Sequence, residues 1–319
     1  MNIHLTFDIE IWCNGWDTLD QSFPGNFQRY VYGKSSHGSY ALPKTLEILG
    51  RYGLQGVFFV EPLFAARFGL EHLATIVGLI RAAGQQVQLH LHPEWTDEIA
   101  PAIIENNASK RQHLSHYTLQ EQTALIAYGR DLLERAGSGP ISAFRAGSFA
   151  ANRDTFKALQ HNGIAVDSSL NRCYAVSGTG LREQATSDAP FVIHQVLTYP
   201  VTVFTDGFGR NRPAHVGACS FAEMKDALHS ARQAGLSDFV VVSHNFEMLK
   251  PGSCAPAWIV VRRFELLCAY LSEHRARFPV GAYATSLPPA LAGPAARAPS
   301  ARIGSTLRRH AEQLLCRIA

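Results

Sequence analysis

Short apolar runs alternate with longer amphipathic segments along most of the chain. The apolar runs predict strands at residues 3–7, 55–60, 87–91, 141–144, 164–167, 238–243 and 279–283. The amphipathic segments carry apolar residues at helical spacing and predict helices at 42–52, 70–83, 118–136, 152–161, 220–234 and 256–274. Residues 191–204 are also β-rich, and Pro200 within them predicts an edge or a break. This alternation of strand and helix favours parallel pairing, in a barrel or in an open sheet.

The pattern changes after residue 285, which divides the chain into a domain at 1–285 and a tail at 286–319. The tail starts with a Pro-, Ala- and Gly-rich stretch that predicts flexibility, and it ends in a short basic amphipathic helix. Such a helix is able to contact an acidic membrane surface or a partner, although a solvated or docked tail helix is the commoner arrangement.

Composition narrows the class of protein. Of the 319 residues, 46% are hydrophobic and 17% are charged, which is typical of a soluble globular enzyme. The formal net charge of +3 is too small to indicate a nucleic-acid partner. The six cysteines are scattered without a CxxC pair, which argues against a disulfide framework and fits a reducing cytoplasm. Because we find no signal peptide and no run near the ~20 apolar residues of a membrane span, we expect a cytoplasmic protein.

Ionisable residues follow the predicted strands, at the point where each strand ends. In chain order they are Asp8 and Glu10, His90 and His92, Arg145, Asp167, and His244. The carboxyl ends of parallel strands meet at one edge of an α/β sheet, and ligands bind there. The sequence therefore predicts a single polar site at this edge.

The two histidines point to a metal. Residues two apart on a strand face the same side, so His90 and His92 can face one ligand, and imidazole is the commonest metal ligand in proteins. The alternative for either ring is a place in the core or a hydrogen bond to a carbonyl. Asp8 and Glu10 have the same spacing, and either one is able to complete a metal site with two histidines and a carboxylate. The other carboxylate is then free to act as a base.

Arg145 and His244 are candidates for supporting roles. Arg145 leaves an apolar segment and needs an anionic partner, for which both Asp8 and Asp167 are suitable. His244 ends the apolar run 240–242, where a histidine is structural about as often as it is catalytic. Beside a metal it becomes the natural general acid, because its ordinary pKa lies near neutral pH.

Taken in order, these stretches resemble the polysaccharide deacetylases of the carbohydrate esterase class, over residues 1–285. The matching stretches are TFDIE at 6–10, LEILGRYGLQGVFFVEP at 46–62, His92-Pro93, FRAGSF at 144–149, VDSS at 166–169 and Val242-Ser243-His244. Ile9 separates two acids that are usually adjacent, and His90 takes the place of a histidine usually found at the position of Gln88. The chain is therefore similar to the branch with D-x-E and H-x-H-P patterns.

The resemblance implies a fold, a cofactor and residue roles. The fold is an α/β structure, a deformed (β/α) barrel of about seven parallel strands. The cofactor is a divalent metal, most often Zn²⁺, held by Glu10, His90 and His92. Asp8 is the base that Arg145 orients, His244 is the acid, and Asp167 belongs to the catalytic group.

Further residues are expected to contact the substrate. Ala146, Gly147 and Ser148 stand where the family has Pro-Tyr, and a backbone N–H near Gly147 or Ser148 is the expected oxyanion donor. Aromatic residues are candidates for stacking on sugar faces, although aromatics more often pack in cores. They are Trp12, Trp16, Trp95, Phe149 and Tyr199.

The expected function is removal of acetyl groups from a saccharide or glycan precursor, in the synthesis of exopolysaccharide or cell-envelope glycan. One alternative is hydrolysis of a small amide of the allantoin type on the same scaffold. Another is a member that binds carbohydrate without catalysis. The combination of a base, an acid and a set of metal ligands argues against a protein that only binds carbohydrate.

Overall fold

The centre of the protein is one eight-stranded sheet. We describe it from a computed structural model, which covers residues 1–13, 15–174, 181, 188–285 and 297–318. For residues 316–318 it describes the backbone only. The strands are β1 (Asn2–Ile9), β2 (Lys34–Ser35), β3 (Gly38–Ser39), β4 (Gly56–Val60), β5 (Gln86–Leu91), β6 (Ala143–Ala146), β7 (Val166–Asp167), β8 (Phe191–Ile193), β9 (Val196–Thr198), β10 (Val203–Thr205), β11 (Asn211–Pro213) and β12 (Asp238–His244). The order in the sheet is β12-β1-β4-β5-β6-β7-β9-β8.

Seven of these eight strands run parallel to one another, and β8 joins the edge antiparallel to β9. This confirms the prediction of about seven parallel strands.

The helices are α1 (Leu19–Phe27), α2 (Leu42–Tyr52), α3 (Ala65–Phe68), α4 (Leu70–Ala82), α5 (Leu119–Arg135), α6 (Arg153–His161), α7 (Phe221–Gln233), α8 (Trp258–Glu273) and α9 (Ile303–Ile318). Two small antiparallel pairs, β2–β3 and β10–β11, lie outside the main sheet.

The residues on either side of the β10–β11 pair, rather than a further strand of the main sheet, lie along the outer edge of β12. The backbone N–H of Thr202 donates to the carbonyl of Val240 at 3.1 Å, and that of Val242 donates to the carbonyl of Ala214 at 2.9 Å. Thr202 and Ala214 thus cover an edge that would otherwise expose unpaired polar groups. Pro200, which has no N–H to donate, precedes this stretch where a break was predicted. The sheet is therefore a deformed barrel, as the resemblance implied.

The two faces of the sheet have different surroundings. Outward residues such as Ile3, Leu5 and Phe7 of β1 join the large core under the helices. Inward residues of several strands form a second, smaller cluster, which includes Val57, Phe59, Ala143, Val166, Leu197 and Val240. Tyr199 belongs to that cluster and is 5% exposed, so it packs in the barrel and does not meet a sugar.

Most helices begin and end close to their predicted bounds. α2 matches its prediction, and α5 begins with a capping box, in which Thr118 and Glu121 satisfy each other's backbone N–H. α1 and α3 were not predicted. The strand predicted at 279–283 was wrong, because only Val280 pairs, as an isolated bridge to Ile3.

The C-terminal helix α9 docks through buried polar side chains. Arg309 is 1% exposed and donates at 3.0 Å to both Glu223 and Asp206. Residues 286–296, where flexibility was predicted, lie outside the described residues. Within the described ranges, the helices include none with the length and apolarity that a membrane crossing requires.

Candidate metal centre and active site

The predicted polar residues come together at the carboxyl ends of the strands. Pairing of β1 with β12 sets Asp8 opposite His244, and pairing of β5 with β6 sets His90 opposite Arg145. They border a cleft of about 280 Å³, which we call the metal cleft. It is lined by Asp8, Glu10, Trp12, His90, His92, Ala146, Ser148, Phe149, His244 and Phe246.

Glu10, His90 and His92 form a buried triad. The Nε2 atoms of both histidines lie 2.9 Å from the same oxygen, Oε1 of Glu10. The Nδ1 atom of His90 lies 2.8 Å from the carbonyl oxygen of Arg145, and that of His92 lies 3.1 Å from the carboxylate of Glu94. A carbonyl and a carboxylate only accept, so each Nδ1 must carry the proton that it donates. In a neutral ring Nε2 is then a bare lone pair aimed at Glu10.

Three electron-pair donors therefore converge on one point, and a cation is needed between them. In the protein alone that cation is a proton. Burial acts to raise the pKa of Glu10, but the charge of His92 and the hydrogen bonds from both rings hold it well below its usual range. Burial acts to lower the pKa of His92, but Glu10 and Glu94 raise it well above its usual range. Two imidazoles and a carboxylate, with Nδ1 atoms held by outer partners, fit a divalent metal in place of that proton.

The turn after β6 is shaped around His92. A Cβ atom on Gly147 would lie 2.8 Å from the His92 ring, so only glycine permits this close approach. Ser148 and Phe149 follow in left-handed backbone conformations, with φ of 54° and 55°. Non-glycine residues held in this region are often found at functional sites, and both of these line the metal cleft.

Arg145 orients Asp8. Asp8 and Asp167 were the two anionic partners expected for Arg145, and Asp8 makes the contact. Nη1 of the fully buried Arg145 lies 2.6 Å from Oδ1 of Asp8. Nη2 donates to the hydroxyls of Thr6 at 2.8 Å and Ser168 at 3.0 Å. The guanidinium lies over the ring of Phe59, with 4.4 Å to the centroid. These contacts leave the guanidinium little freedom, and Asp8 is held with it.

Asp167 lies apart from the residues that line the metal cleft. It accepts hydrogen bonds from the backbone and hydroxyl of Ser169, and that hydroxyl accepts from the N–H of Ala146 at 2.9 Å. Burial raises the pKa of Asp167 to about 6. Its visible role is to support the backbone that follows Arg145. A catalytic role for Asp167 stays a prediction.

His244 is held by two residues that the sequence did not point to. Its Nδ1 lies 3.0 Å from Oε1 of Glu247, and Nε2 of His215 lies 3.0 Å from the same oxygen. Burial acts to lower the pKa of His244, but Glu247, Glu10 and Asp8 raise it to about 9. The available signal was a glutamate three residues after a histidine at a strand end, in the stretch SHNFE.

Asn245 is a third residue that sequence reasoning missed. Its side-chain oxygen accepts from the N–H of Glu10, and its nitrogen donates to the carbonyl of the same residue, both at 3.1 Å. The nitrogen also donates to the carbonyl of Tyr30 at 2.6 Å. This amide fixes the backbone of Glu10 where β1 ends, and hence the direction of the carboxylate.

The aromatic candidates differ in their access to the metal cleft. Trp12 is 38% exposed and meets His92 edge-on with 5.3 Å between ring centroids. Phe149 lines the cleft and stacks on Tyr174. Trp95 is 4% exposed and lines a neighbouring chamber of about 270 Å³, which shares Glu10, Trp12 and His92 with the cleft. Trp16 lines that chamber as well.

Comparison with known proteins shows the fold. The sequence matches no family model and no curated protein. The structure is similar to a provisionally assigned polysaccharide deacetylase from Mycobacterium smegmatis, with a TM-score of 0.53 and 17% identity, covering 90% of this chain and 94% of that one. Other similar structures are a family 4 carbohydrate esterase from Streptomyces lividans in complex with acetate (TM-score 0.44, 13% identity, 89% and 93% covered) and the Bc1960 peptidoglycan N-acetylglucosamine deacetylase (TM-score 0.40, 15% identity, 88% and 85% covered).

Proposed function

We propose that this protein is a metal-dependent hydrolase of the polysaccharide deacetylase family that removes acetyl groups from a saccharide. The observation that carries this proposal is the convergence of three metal-ligating atoms, from Glu10, His90 and His92, in the same cleft as an oriented carboxylate and a histidine. The M. smegmatis structure supports it through the shared fold.

The triad would hold the metal. Two imidazole nitrogens and one carboxylate oxygen are the ligand set of many catalytic zinc sites, and Zn²⁺ is therefore the expected ion. A divalent ion held there would supply Lewis acidity toward the acetyl carbonyl and toward water. Glu94 and the carbonyl of Arg145 keep the two rings in the ligating tautomer.

The chain's own residues account for the proton transfers. Asp8, held by Arg145, accepts a proton from the attacking water as its oxygen bonds to the acetyl carbon. A backbone N–H near Gly147 or Ser148 donates to the oxyanion that develops. His244 gives a proton to the sugar nitrogen or oxygen as the bond to the acetyl carbon breaks. The products are acetate and a free amine or hydroxyl.

Substitution of the base is the direct test. Asp8→Asn keeps the size of the side chain but removes the proton acceptor, so acetate release from an N-acetylated oligosaccharide should fall by about 10²–10⁴-fold. Bound metal, measured by elemental analysis, should stay near one per chain because Asp8 is outside the triad. Asp20→Asn, at an exposed carboxylate, is the matched control and should keep full activity. Near-normal turnover in Asp8→Asn would overturn the assignment of the base.

Two assays on the same purified protein distinguish the proposed function from its two rivals. A panel of small amides of the allantoin type, compared with acetylated oligosaccharides, separates an amidohydrolase from a deacetylase. Metal content near zero after purification and zinc reconstitution would favour a binder without catalysis.

The cellular setting is part of the proposal. We place the enzyme in the cytoplasm, in a step of exopolysaccharide or envelope glycan synthesis, with α9 as a candidate for weak membrane contact. Leu307 and Leu314 on α9 are 55% and 59% exposed. Leu307→Gln combined with Leu314→Gln should reduce the membrane-associated fraction, and an unchanged fraction would remove the membrane contact from the proposal.

A further inference from the structure

Glu247 lies between two histidines and has no function in the scheme above. Both rings meet the same carboxylate oxygen at 3.0 Å, one through Nδ1 of His244 and the other through Nε2 of His215. His215 is tied to the sheet by an isolated bridge to Val242, two residues before His244. The three side chains thus form a chain of contacts that begins at the outer edge of β12 and ends in the metal cleft.

This contact decides which nitrogen of His244 faces the substrate. The carboxylate accepts from Nδ1–H, so Nε2 is the nitrogen left to give and take a proton in the cleft. A ring without this partner is free to rotate about its side-chain bonds and to change tautomer. Proton transfer in a transition state depends on such placement, and an error of about 1 Å can cost about 10²-fold in rate.

The backbone of Gly217 packs against the carboxylate of Glu247. A Cβ atom on Gly217 would lie 1.7 Å from Oε2 of Glu247, so the backbone there packs directly on the carboxylate. The carbonyl of Gly217 accepts a hydrogen bond from Nη1 of Arg263 at 2.9 Å. The loop that carries His215 and Gly217 is therefore anchored to α8.

The anchor extends to the C-terminal helix. Nε of Arg263 donates to Oε2 of Glu312 on α9 at 2.7 Å, and Arg263 is 5% exposed. A cation buried to this degree is costly without its anionic partner, so loss of Glu312 should displace Arg263 and the carbonyl that it holds. The contacts run without a break from α9 to Arg263, to Gly217, to Glu247 and to His244.

We propose that Glu247 and His215 are positioning residues for His244, and that α9 keeps them in place through Arg263. This inference depends on the proposed role of His244 as the acid. It makes the C-terminal helix a part of the active-site support, although none of the described residues of that helix lines the metal cleft.

A comparison of two substrates tests this proposal. An N-acetylated oligosaccharide needs a proton on its leaving nitrogen, whereas 4-nitrophenyl acetate has a leaving group that departs as a stable anion. His244→Ala is the reference and should lose amide turnover with little change on the ester. Glu247→Gln should lower kcat for the amide by about 10²-fold and kcat for the ester by less than about twofold. His215→Phe should follow it with a smaller loss.

Variants on α9 carry the second half of the test. Glu312→Gln should lower amide kcat by about tenfold, with the ester rate, bound metal and KM unchanged. Arg302→Gln is the matched control and should behave as the wild type, because it removes an ion pair between the residue that precedes α9, whose side chain is 83% exposed, and Asp226 on α7. Glu312 is partly exposed, with 18% of its side chain accessible, and Gln has nearly the same size, so this variant keeps the test decisive even if Glu247→Gln does not fold.

The results separate the inference from the proposed function. Wild-type protein that hydrolyses neither substrate would overturn the proposed function. With the wild type and His244→Ala behaving as expected, full amide activity in Glu247→Gln or Glu312→Gln would overturn the positioning role. A parallel loss on both substrates together with loss of metal would show that these residues act on the fold and not on His244.

Discussion

At the residue scale, most of the ionisable groups at the carboxyl ends of the strands have partners of opposite charge at hydrogen-bond distance. Arg145 has Asp8, the two metal-site histidines have Glu10, and His244 has Glu247. Asp167 has no cationic partner at hydrogen-bond distance among the described residues, and only Ser169 donates to it. A buried carboxyl in such surroundings is favoured in its neutral form.

Asp167 should therefore make stability depend on pH. Burial raises its pKa in the folded protein to about 6, against 3.8 for the ordinary side chain. The stabilisation is fully present below pH ~4 and is lost as pH rises through ~6, because the folded state must then bury a charge. The shift of roughly two pKa units corresponds to at most about 3 kcal/mol. Asp167→Asn stays neutral, so its free energy of unfolding relative to wild type should rise between pH 4 and 7 by up to that amount.

Urea denaturation of both proteins across this pH range measures the difference. Asp131→Asn, at a carboxylate whose side chain is 57% exposed, is the control and should show no such trend. A constant difference between Asp167→Asn and wild type would contradict the raised pKa. Acetate release by the same variant also tests the predicted catalytic role, since a purely supporting residue should leave most of the turnover intact.

At the element scale, the turn after β6 brings a backbone against a metal ligand. Gly147 packs on the face of His92, whose ring is held on its other sides by Glu10 and Glu94. An imidazole ring with a hydrogen-bond partner at each nitrogen is restricted in both rotation and translation. The approach of the turn therefore contributes to where the Nε2 atom of His92 points.

Gly147→Ala should weaken metal binding. The new methyl group would meet the ring at 2.8 Å and displace it, and changes that disturb the orientation of a ligand typically cost about 10–100-fold in metal affinity. Competition with a chromophoric zinc chelator measures this. Gly78→Ala, on α4 with no atom within 4 Å of its added Cβ, is the matched control. Unchanged affinity in Gly147→Ala would show that the ring adjusts without loss.

At the scale of the whole molecule, the C-terminal helix α9 is joined to the barrel domain by buried charge. Arg309 contacts Glu223 on α7 and Asp206 after β10, and all three side chains are at most 1% exposed. The helix that was predicted as a tail element is thus attached to the barrel domain by ion pairs. Its outer face exposes Ile303, Leu307, Leu314 and Leu315.

Arg309→Met should lower the free energy of unfolding by about 3–5 kcal/mol, because it leaves two buried carboxylates without their cation. Arg308→Met is the control on the same helix. Its side chain is 60% exposed and pairs with Glu312 one turn away, so the cost should be below about 0.5 kcal/mol. Urea denaturation measures both. Equal effects of the two substitutions would contradict the burial of Arg309 in the docked helix.

The local pattern of the chain was enough to predict most helices, the parallel strands and the residues at their carboxyl ends. Side-chain periodicity and capping residues act over a few positions, so the chain encodes them locally, as α2 and α5 show. The strand predicted at 279–283 was wrong and α1 was missed. Residues 279–283 and α1 are short segments, and their conformation depends on the tertiary neighbours against which they pack.

Strand periodicity alone predicted which residues of the first, third and fourth predicted strands meet at one edge, with two imidazoles and an acid among them. The folded structure was needed to show that Asn245 fixes Glu10 and that Glu247 and His215 hold His244. It also selected Asp8 over Asp167 as the partner of Arg145, a choice that the residues alone had left open. The physical reason is separation along the chain: Asn245 and Glu10 are 235 residues apart. Such contacts depend on how strands are ordered and on the closure of the barrel, and no local periodicity carries that information.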